Sequence, residues 1–242
     1  MTAMLMLSDF HSHILPGIDD GCRNPSESLI LLRMQRSQNV ERVVLTPHFY
    51  PNYDAPKTFL RRRNDAFHAL LDAKADEKLP KMILGAEVYY FPGISECEEL
   101  NMLTIGDGRY VLVEMPMGSW SERMYRELEG IYTKQGLTPV LAHLDRYISP
   151  LWDHGIVHRL ESLPVLVQAN AEFFLNRRTA SYARKLLRQG RIHVLGSDCH
   201  NMTDRAPNLG AAVETIGKSF GGAMLARIQE QENQILSARK VR

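Results

Sequence analysis

Five of the nine histidines in this 242-residue chain fall where an apolar run gives way to polar sequence, and carboxylates fall at the same kind of place. The first run ends in Asp9-Phe10-His11-Ser12-His13, and the second in Thr46-Pro47-His48. Later runs end at Glu87, at Glu114, at His143, and in Ser197-Asp198-Cys199-His200. If the runs are strands, successive side chains alternate between faces, so His11 and His13 can reach one ion, as can Asp198 and His200. Mixed imidazole and carboxylate donors suit Mn, Zn, Fe and similar divalent cations. With Asp20, the candidate metal ligands are His11, His13, Asp20, His48, Glu87, Glu114, His143, Asp198 and His200. That is too many donors for one ion, and two or three ions sharing bridging carboxylates would use them all. Clustered divalent ions are a common tool for in-line displacement at phosphorus.

Singly, none of these residues means much. A lone H-x-H is as often a surface pair, and a glutamate after a strand is commonly a solvated end. The coincidence of many donors at successive run ends carries the reading. The other histidines lack that company: His68 falls mid-helix and His193 within a run, both reading as structural, while His154 and His158 read as a solvated face beside Gly155.

Positioning these residues requires a regular scaffold. Seven apolar runs read as buried strands: Met4–Asp9, Arg42–Thr46, Lys81–Ala86, Tyr110–Glu114, Thr138–Ala142, Val165–Ala169 and Ile192–Gly196. Between them the helical stretches are one opening at Asn24-Pro25-Ser26-Glu27, then Lys57–Glu77, Glu122–Gln135, Asn176–Gln189 and Ala206–Lys218. In the first, Asn24 is placed as the N-cap, Pro25 as the first helical residue, and Glu27 as the far side of a capping box. Ala223–Arg242 reads as a further amphipathic helix, and Arg61, Arg62 and Arg63 as a solvated helix face. Strands alternating with helices predict an α/β fold with a parallel sheet, and seven units predict a closed or nearly closed barrel. Such barrels carry their sites at the C-terminal strand ends, where the donors fall.

Composition narrows the class. Hydrophobic residues make up 44% and charged residues 24%, with a net charge of +1, so no global field favours nucleic acid or membrane. Three cysteines without a C-x-x-C pair argue for a reducing, cytoplasmic setting rather than a disulfide framework. Residues 1–7 are too short for a secretory leader, and no stretch approaches membrane-spanning length, so the expectation is a single domain over residues 1–242.

The opening DFHSHILPGIDDG resembles bacterial tyrosine phosphatases of the polymerase-and-histidinol-phosphatase (PHP) superfamily, encoded with capsule and exopolysaccharide genes. The likeness continues through TPHFYP, GAEVYYFPGI, LVEMP, PVLAHLDRY, QANAEFF and LGSDCHN. It implies a distorted seven-stranded (β/α)7 barrel and three metal sites, manganese foremost, with Fe, Zn, Co or Mg as alternatives. His11, His13, Glu87 and Asp198 would form the first, Glu87, Glu114 and His143 the second, and Asp20, His48 and His200 the third. The choice of Asp20 over Asp19 rests on family spacing. Arg146 and Arg205 match the family's phosphate-clamping arginines, although His143-Leu144-Asp145-Arg146-Tyr147 departs from the family's H-P-E-R-Y. The implied partner is a phosphotyrosine protein, a bacterial tyrosine autokinase.

Three other readings compete. Cys199 and Arg205 form C-x5-R, the signature of cysteine-dependent phosphatases, but the intervening residues contain no glycine and Asp204 would oppose phosphate. A related phosphoesterase acting on a small molecule such as histidinol phosphate would share the metal chemistry. A non-catalytic metal-binding module would be expected to lack donors. Phe49, Tyr50 and Tyr53 read as loop packing, or else as flanks for an aromatic ring.

Overall fold

Val-, Leu- and Ile-rich runs without polar alternation form strands only where both faces are covered. In the computed structural model, which describes residues 7–153 and 155–238, every strand pairing is parallel. The strands are β1 (Leu7–Asp9), β2 (Val40–Leu45), β3 (His48–Phe49), β4 (Lys81–Leu84), β5 (Glu87–Tyr89), β6 (Tyr110–Glu114), β7 (Thr138–Leu141), β8 (Leu166–Asn170) and β9 (Val194–Gly196). The helices are α1 (Pro25–Ser37), α2 (Pro56–Lys74), α3 (Glu122–Gln135), α4 (Ile156–Leu160), α5 (Ala171–Leu175), α6 (Ala180–Arg188), α7 (Leu209–Phe220) and α8 (Gly222–Ser237).

Seven expected strands thus become nine described segments, in sheets of order β1-β2-β4 and β3-β5-β6-β7-β8-β9. The second run breaks at Thr46-Pro47, where proline has no N–H to donate, and the third breaks at Gly85-Ala86. Hydrogen bonding continues across the breaks: Thr46 N–H donates to Ser12 O at 2.9 Å and Glu87 N–H to Pro47 O at 3.0 Å. At the other end, Phe10 N–H donates to Leu195 O at 3.0 Å and Asp198 N–H to His11 O at 2.8 Å. The strands therefore curl until the last meets the first. Met4 to Met6 of the first predicted run lie outside the described residues, as does His154.

Alternation divides the strand side chains into two apolar layers. Val43, Leu45, Val111, Val113 and Leu141 face outward into the large core under the helices. Val44, Leu112, Val140, Ala142, Val194 and Phe10 form a separate inner cluster, joined from below by Ile235 of α8. Two residues on from Leu112 in this inner layer is Glu114, and four on from Val194, past Gly196 at the end of β9, is Asp198. An apolar plug therefore lies directly beneath the polar residues.

Helix termini explain which boundaries were legible. Ser121 accepts the Met124 N–H, and Gly136 ends α3 in the left-handed conformation, so both limits match expectation. Asn24 accepts the Glu27 N–H at 3.0 Å, but the Glu27 carboxylate takes the Arg23 N–H, so the capping box is one-sided. The expected helix Asn176–Gln189 starts only at Ala180, and Ala171–Leu175 forms a separate short helix before it. The expected Ala206–Lys218 begins at Leu209, past Pro207. The Lys57–Glu77 helix stops at Lys74, because Ala75 turns to a positive φ of 49°. The arginine triplet is not a uniform solvated face. Arg62 pairs with Asp54 and donates to Ile18 O, while Arg63 is buried and donates to Gly85 O at 2.8 Å, satisfying a carbonyl freed by the break in the third run.

Glu232 on α8 is buried beside Ser8 and Arg42, with Arg42 Nη2 3.6 Å from its carboxylate. Burial pushes its carboxyl up to about 8, and the contacts with Ser8 and Arg42 only partly offset this. The unfolded chain ionises this group near 4.5, so its contribution to stability is whole below that pH and is lost as pH rises toward 8. Urea unfolding should find Glu232→Gln equal to the parent near pH 4 and more stable by roughly 1–3 kcal/mol at pH 8. Parallel stability curves for the two proteins across that range would contradict this account.

Candidate metal centre

The backbone is bent hard to deliver these side chains. Among the described non-glycine residues, positive φ occurs at Asn39, Ala75, His143 (32°) and Asp198 (53°), and two of these four are candidate ligands. Such conformations persist only where surroundings enforce them, and they concentrate at functional sites. The close approach of β9 to β1 also requires Gly196, since a Cβ there would lie 2.6 Å from His11 Cβ.

Glu87, fully buried at the start of β5, is the hub. Its carboxylate oxygens lie 3.1 Å from His11 Nε2, 3.3 Å from His13 Nε2, 2.9 Å from His48 Nδ1 and 2.9 Å from His143 Nε2. Asp198 lies 3.6 Å from His11 and 3.4 Å from His13. Asp20 lies 3.2 Å from His200 and 3.5 Å from His48, and Glu114 lies 3.5 Å from His143. The structure thus brings all nine sequence-chosen donors together. Three overlapping groups have ligand atoms within 4.8 Å of one another: His13, Asp20, His48 and His200; His11, His13 and Asp198; His48, Glu87 and Glu114. They differ in detail from the implied sets, with His13 joining the third group and His48 standing beside Glu87 and Glu114.

The electrostatics call for positive charge. Burial alone would raise the Glu87 carboxyl, but His11, His13 and His143 hold it well below its ordinary value. Asp198 is likewise lowered, with His11 and His13 outweighing its burial. Burial works against a charged His143, yet Glu114 and Glu87 raise it to about 9. Burial works against a charged His13, yet Asp19, Asp198 and Glu87 together raise it well above its ordinary value. Glu87 Oε2, Glu114 Oε2, His48 Nδ1 and His200 Nε2 are buried without a hydrogen bond of acceptable geometry. Unmet donors on hard and borderline atoms, packed this closely, fit divalent cations.

Supporting residues set the tautomers. Asp19 Oδ2 lies 2.8 Å from His13 Nδ1 and accepts the His48 N–H at 3.0 Å, leaving Asp20 to face His48 and His200. Gln168 Oε1 accepts the His143 N–H at 2.6 Å and lies 3.2 Å from His11 Nδ1, while its amide donates to Asn170, which donates to Asp198. Sequence reasoning passed over this strand because it ends in amides rather than ligands. The inward period-2 pair Gln168 and Asn170 was the available signal. Asp9 was also missed. Fully buried, it accepts the His11 N–H at 3.1 Å and the Ser197 N–H at 2.9 Å, and also receives Ser197 Oγ and Gln35. It locks together the two ligand-bearing ends of β1 and β9.

Arg146 and Arg205 both stand about one-third exposed at the mouth and grip opposite oxygens of Asp198. The altered loop holds its shape because half-buried Asp145 accepts the Asn170 N–H at 2.8 Å. Of the aromatic residues, Phe49 is core, packed on Phe59, whereas Tyr50 stacks on His48 at 5.0 Å and Tyr53 is exposed. His193 is structural, its Nδ1 accepting the Val167 N–H, and His158 is solvated beside Glu161. Cys199 is fully buried and its thiol pushed well up, the opposite of a nucleophilic cysteine.

Residues 7–237 match the family model for capsular polysaccharide synthesis, CpsB/CapC. The chain belongs to the CpsB/CapC family. Tyrosine-protein phosphatase CpsB of Streptococcus pneumoniae is 29% identical over 226 residues, covering 88% of this chain and 90% of the relative. A chain from the crystal structures of YwqE from Bacillus subtilis and CpsB from Streptococcus pneumoniae, described as unique metal-dependent tyrosine phosphatases, superposes with TM-score 0.80 at 19% identity, covering 98% of this chain and 96% of the other. Histidinol phosphate phosphatase from Lactococcus lactis, solved with zinc, L-histidinol and phosphate, gives 0.59 at 16% identity, covering 90% of this chain and 95% of that one. Both superpositions bear on the fold, an α/β arrangement of curled parallel strands shared with this CpsB/CapC member.

Gln168→Leu removes the acceptor shared by His11 and His143. Elemental analysis after dialysis against limiting manganese should show metal affinity reduced about 10- to 100-fold. Parental loading would mean that Gln168 neither orients the His11 ring nor fixes the His143 backbone.

Proposed function

We propose that this chain is a metal-dependent protein-tyrosine phosphatase acting on the phosphorylated tyrosines of a bacterial autokinase that governs capsule or exopolysaccharide synthesis. The observation that carries this reading is the convergence of nine donors, with Glu87 amid four imidazoles, beside two arginines. Membership of the CpsB/CapC family and the names of its relatives support the substrate class. The scaffold is taken as one (β/α)7 barrel domain over residues 1–242, with the interrupted second and third runs each counted as a single stave. No helix among the described residues is long and apolar enough to cross a membrane, and the placement proposed is cytoplasmic.

His11, His13, Glu87 and Asp198 would hold one cation, Glu87, Glu114 and His143 a second, and Asp20, His48 and His200 a third, with manganese foremost. Such ions supply a water acidic enough to attack phosphorus near neutral pH and positive charge for the phosphate oxygens. The chain supplies the rest. Asp19 and Gln168 fix which nitrogens of His13 and His11 face the centre. Arg146 and Arg205 present planar forks at the mouth, matched to a phosphate dianion and to the charge that builds in transfer. Tyrosinate, whose conjugate acid ordinarily ionises near about pH 10, departs with less protonation than an alkoxide would need.

Purified protein with added manganese should hydrolyse p-nitrophenyl phosphate and phosphotyrosine peptides, lose turnover in strong chelator, and regain it on metal return. Asp198→Asn and His11→Ala should each cost at least about a hundredfold. Arg146→Ala should lower kcat by about 10²–10³, with little rescue by lysine. Cys199→Ser should stay active. Full turnover in a chelated sample, or loss of activity confined to the Cys199 variant, would overturn the metal reading. Preferred turnover of histidinol phosphate would redirect the substrate assignment, and metal binding with no turnover would leave a non-catalytic module.

A further inference from the structure

Single exposed apolar side chains are ordinary on a protein surface. Here they are concentrated. Among the described residues, the large apolar side chains more than half exposed are Leu151 (94%), Tyr53 (86%) and Met117 (70%), and all three lie on loops leaving C-terminal strand ends. Elsewhere, Ile30, Leu71, Met102 and Tyr132 are each tucked more than half away. Met117 follows Glu114, Leu151 follows Arg146, Tyr53 follows His48, and partly exposed Met202 lies between His200 and Arg205.

Strand order sorts them into two patches. β9 is bonded to β1, β1 pairs with β2, and β3 continues β2, so Met202 and Tyr53 belong to one side of the mouth. Tyr50 extends this patch inward, edge-on to Tyr53 at 6.1 Å and stacked on His48. β6 and β7 are paired neighbours, so Met117 and Leu151 belong to the other side. Arg146 shares the loop of Leu151 and Arg205 that of Met202, and the two arginines meet at Asp198.

We infer that the two patches seat an extended peptide segment whose phosphotyrosine enters the metal centre and whose apolar neighbours rest on Tyr53–Met202 at one side and Met117–Leu151 at the other. This rests on the phosphatase reading above. The occupant follows from charge and span. Its middle must be anionic to draw two guanidinium groups that otherwise share the Asp198 carboxylate, and its flanks must be apolar. It must also cross the mouth, which a small phosphomonoester filling only the centre does not do. A second copy of this chain would cover the apolar patches but bring no phosphate to the arginines.

The test compares a phosphotyrosine peptide carrying leucine or tyrosine on both flanks with the same peptide carrying glycine and serine, using p-nitrophenyl phosphate as control, all with manganese. The parent should show a KM about tenfold lower for the apolar-flanked peptide at similar kcat. The pairs Leu151→Ser/Met117→Ser and Tyr53→Ser/Met202→Ser should each erase much of that preference. Both should leave p-nitrophenyl phosphate turnover within about twofold and unfolding temperature unchanged. Equal KM values for the two peptides in the parent, or a preference that survives both pairs, would overturn the docking inference. So would a dimer by light scattering that dissociates in the variants, since it would assign the patches to self-association. Absence of turnover on every phosphoester would instead sink the phosphatase reading itself, so the two failures are distinct.

Discussion

A buried carboxylate amid four imidazoles sets the terms for this molecule. Glu87 is held below the sheet rim by backbone pairing to β3 and β6, with His11, His13, His48 and His143 arrayed around it. Burying one charge is costly unless others answer it. The answering groups come from β3 and from the segments just past β1 and β7, distant in sequence, and the curl of the strands is what makes them meet. Interrupting the second and third runs serves the same end: the breaks at Thr46-Pro47 and Gly85-Ala86 let His48 and Glu87 restart in strands of their own at the depth of the cluster.

Beneath the hub lies a dry plug and around it a layer of fixed hydrogen bonds. The inner cluster of Val44, Leu112, Val140 and Val194 keeps water from reaching the donors from below. Asp9, Asp19 and Gln168 take up the backbone and ring N–H groups that would otherwise leave the ligands free to rotate, and Asn170 donates to the Asp198 carboxylate. Preorganisation of this kind adds to what the donors themselves supply, because reorientation is settled before an ion arrives.

Much of this was legible in the sequence. The donors could be named because period-2 strands ending in His, Asp or Glu leave a plain trace, and the limits of α3 could be placed because Ser121 and Gly136 are strong end signals. Other features were written in long-range contacts. Nothing local separates buried Arg63 from Arg61, since the carbonyl it serves belongs to Gly85. The late start of α6 followed from a short helix formed by AEFFL, which reads locally as a continuation of the strand before it. Asp19 and Asp20 are adjacent and alike, and only the position of His13 Nδ1 gives them different neighbours.

Gln168 serves two masters with one oxygen. The His143 backbone and the His11 ring both lean on Oε1, and through Asn170 the same side chain reaches Asp198. Ordering the His11 ring and fixing the His143 backbone are therefore one event rather than two, so the segments that follow β1 and β7 are thermodynamically linked through a single amide.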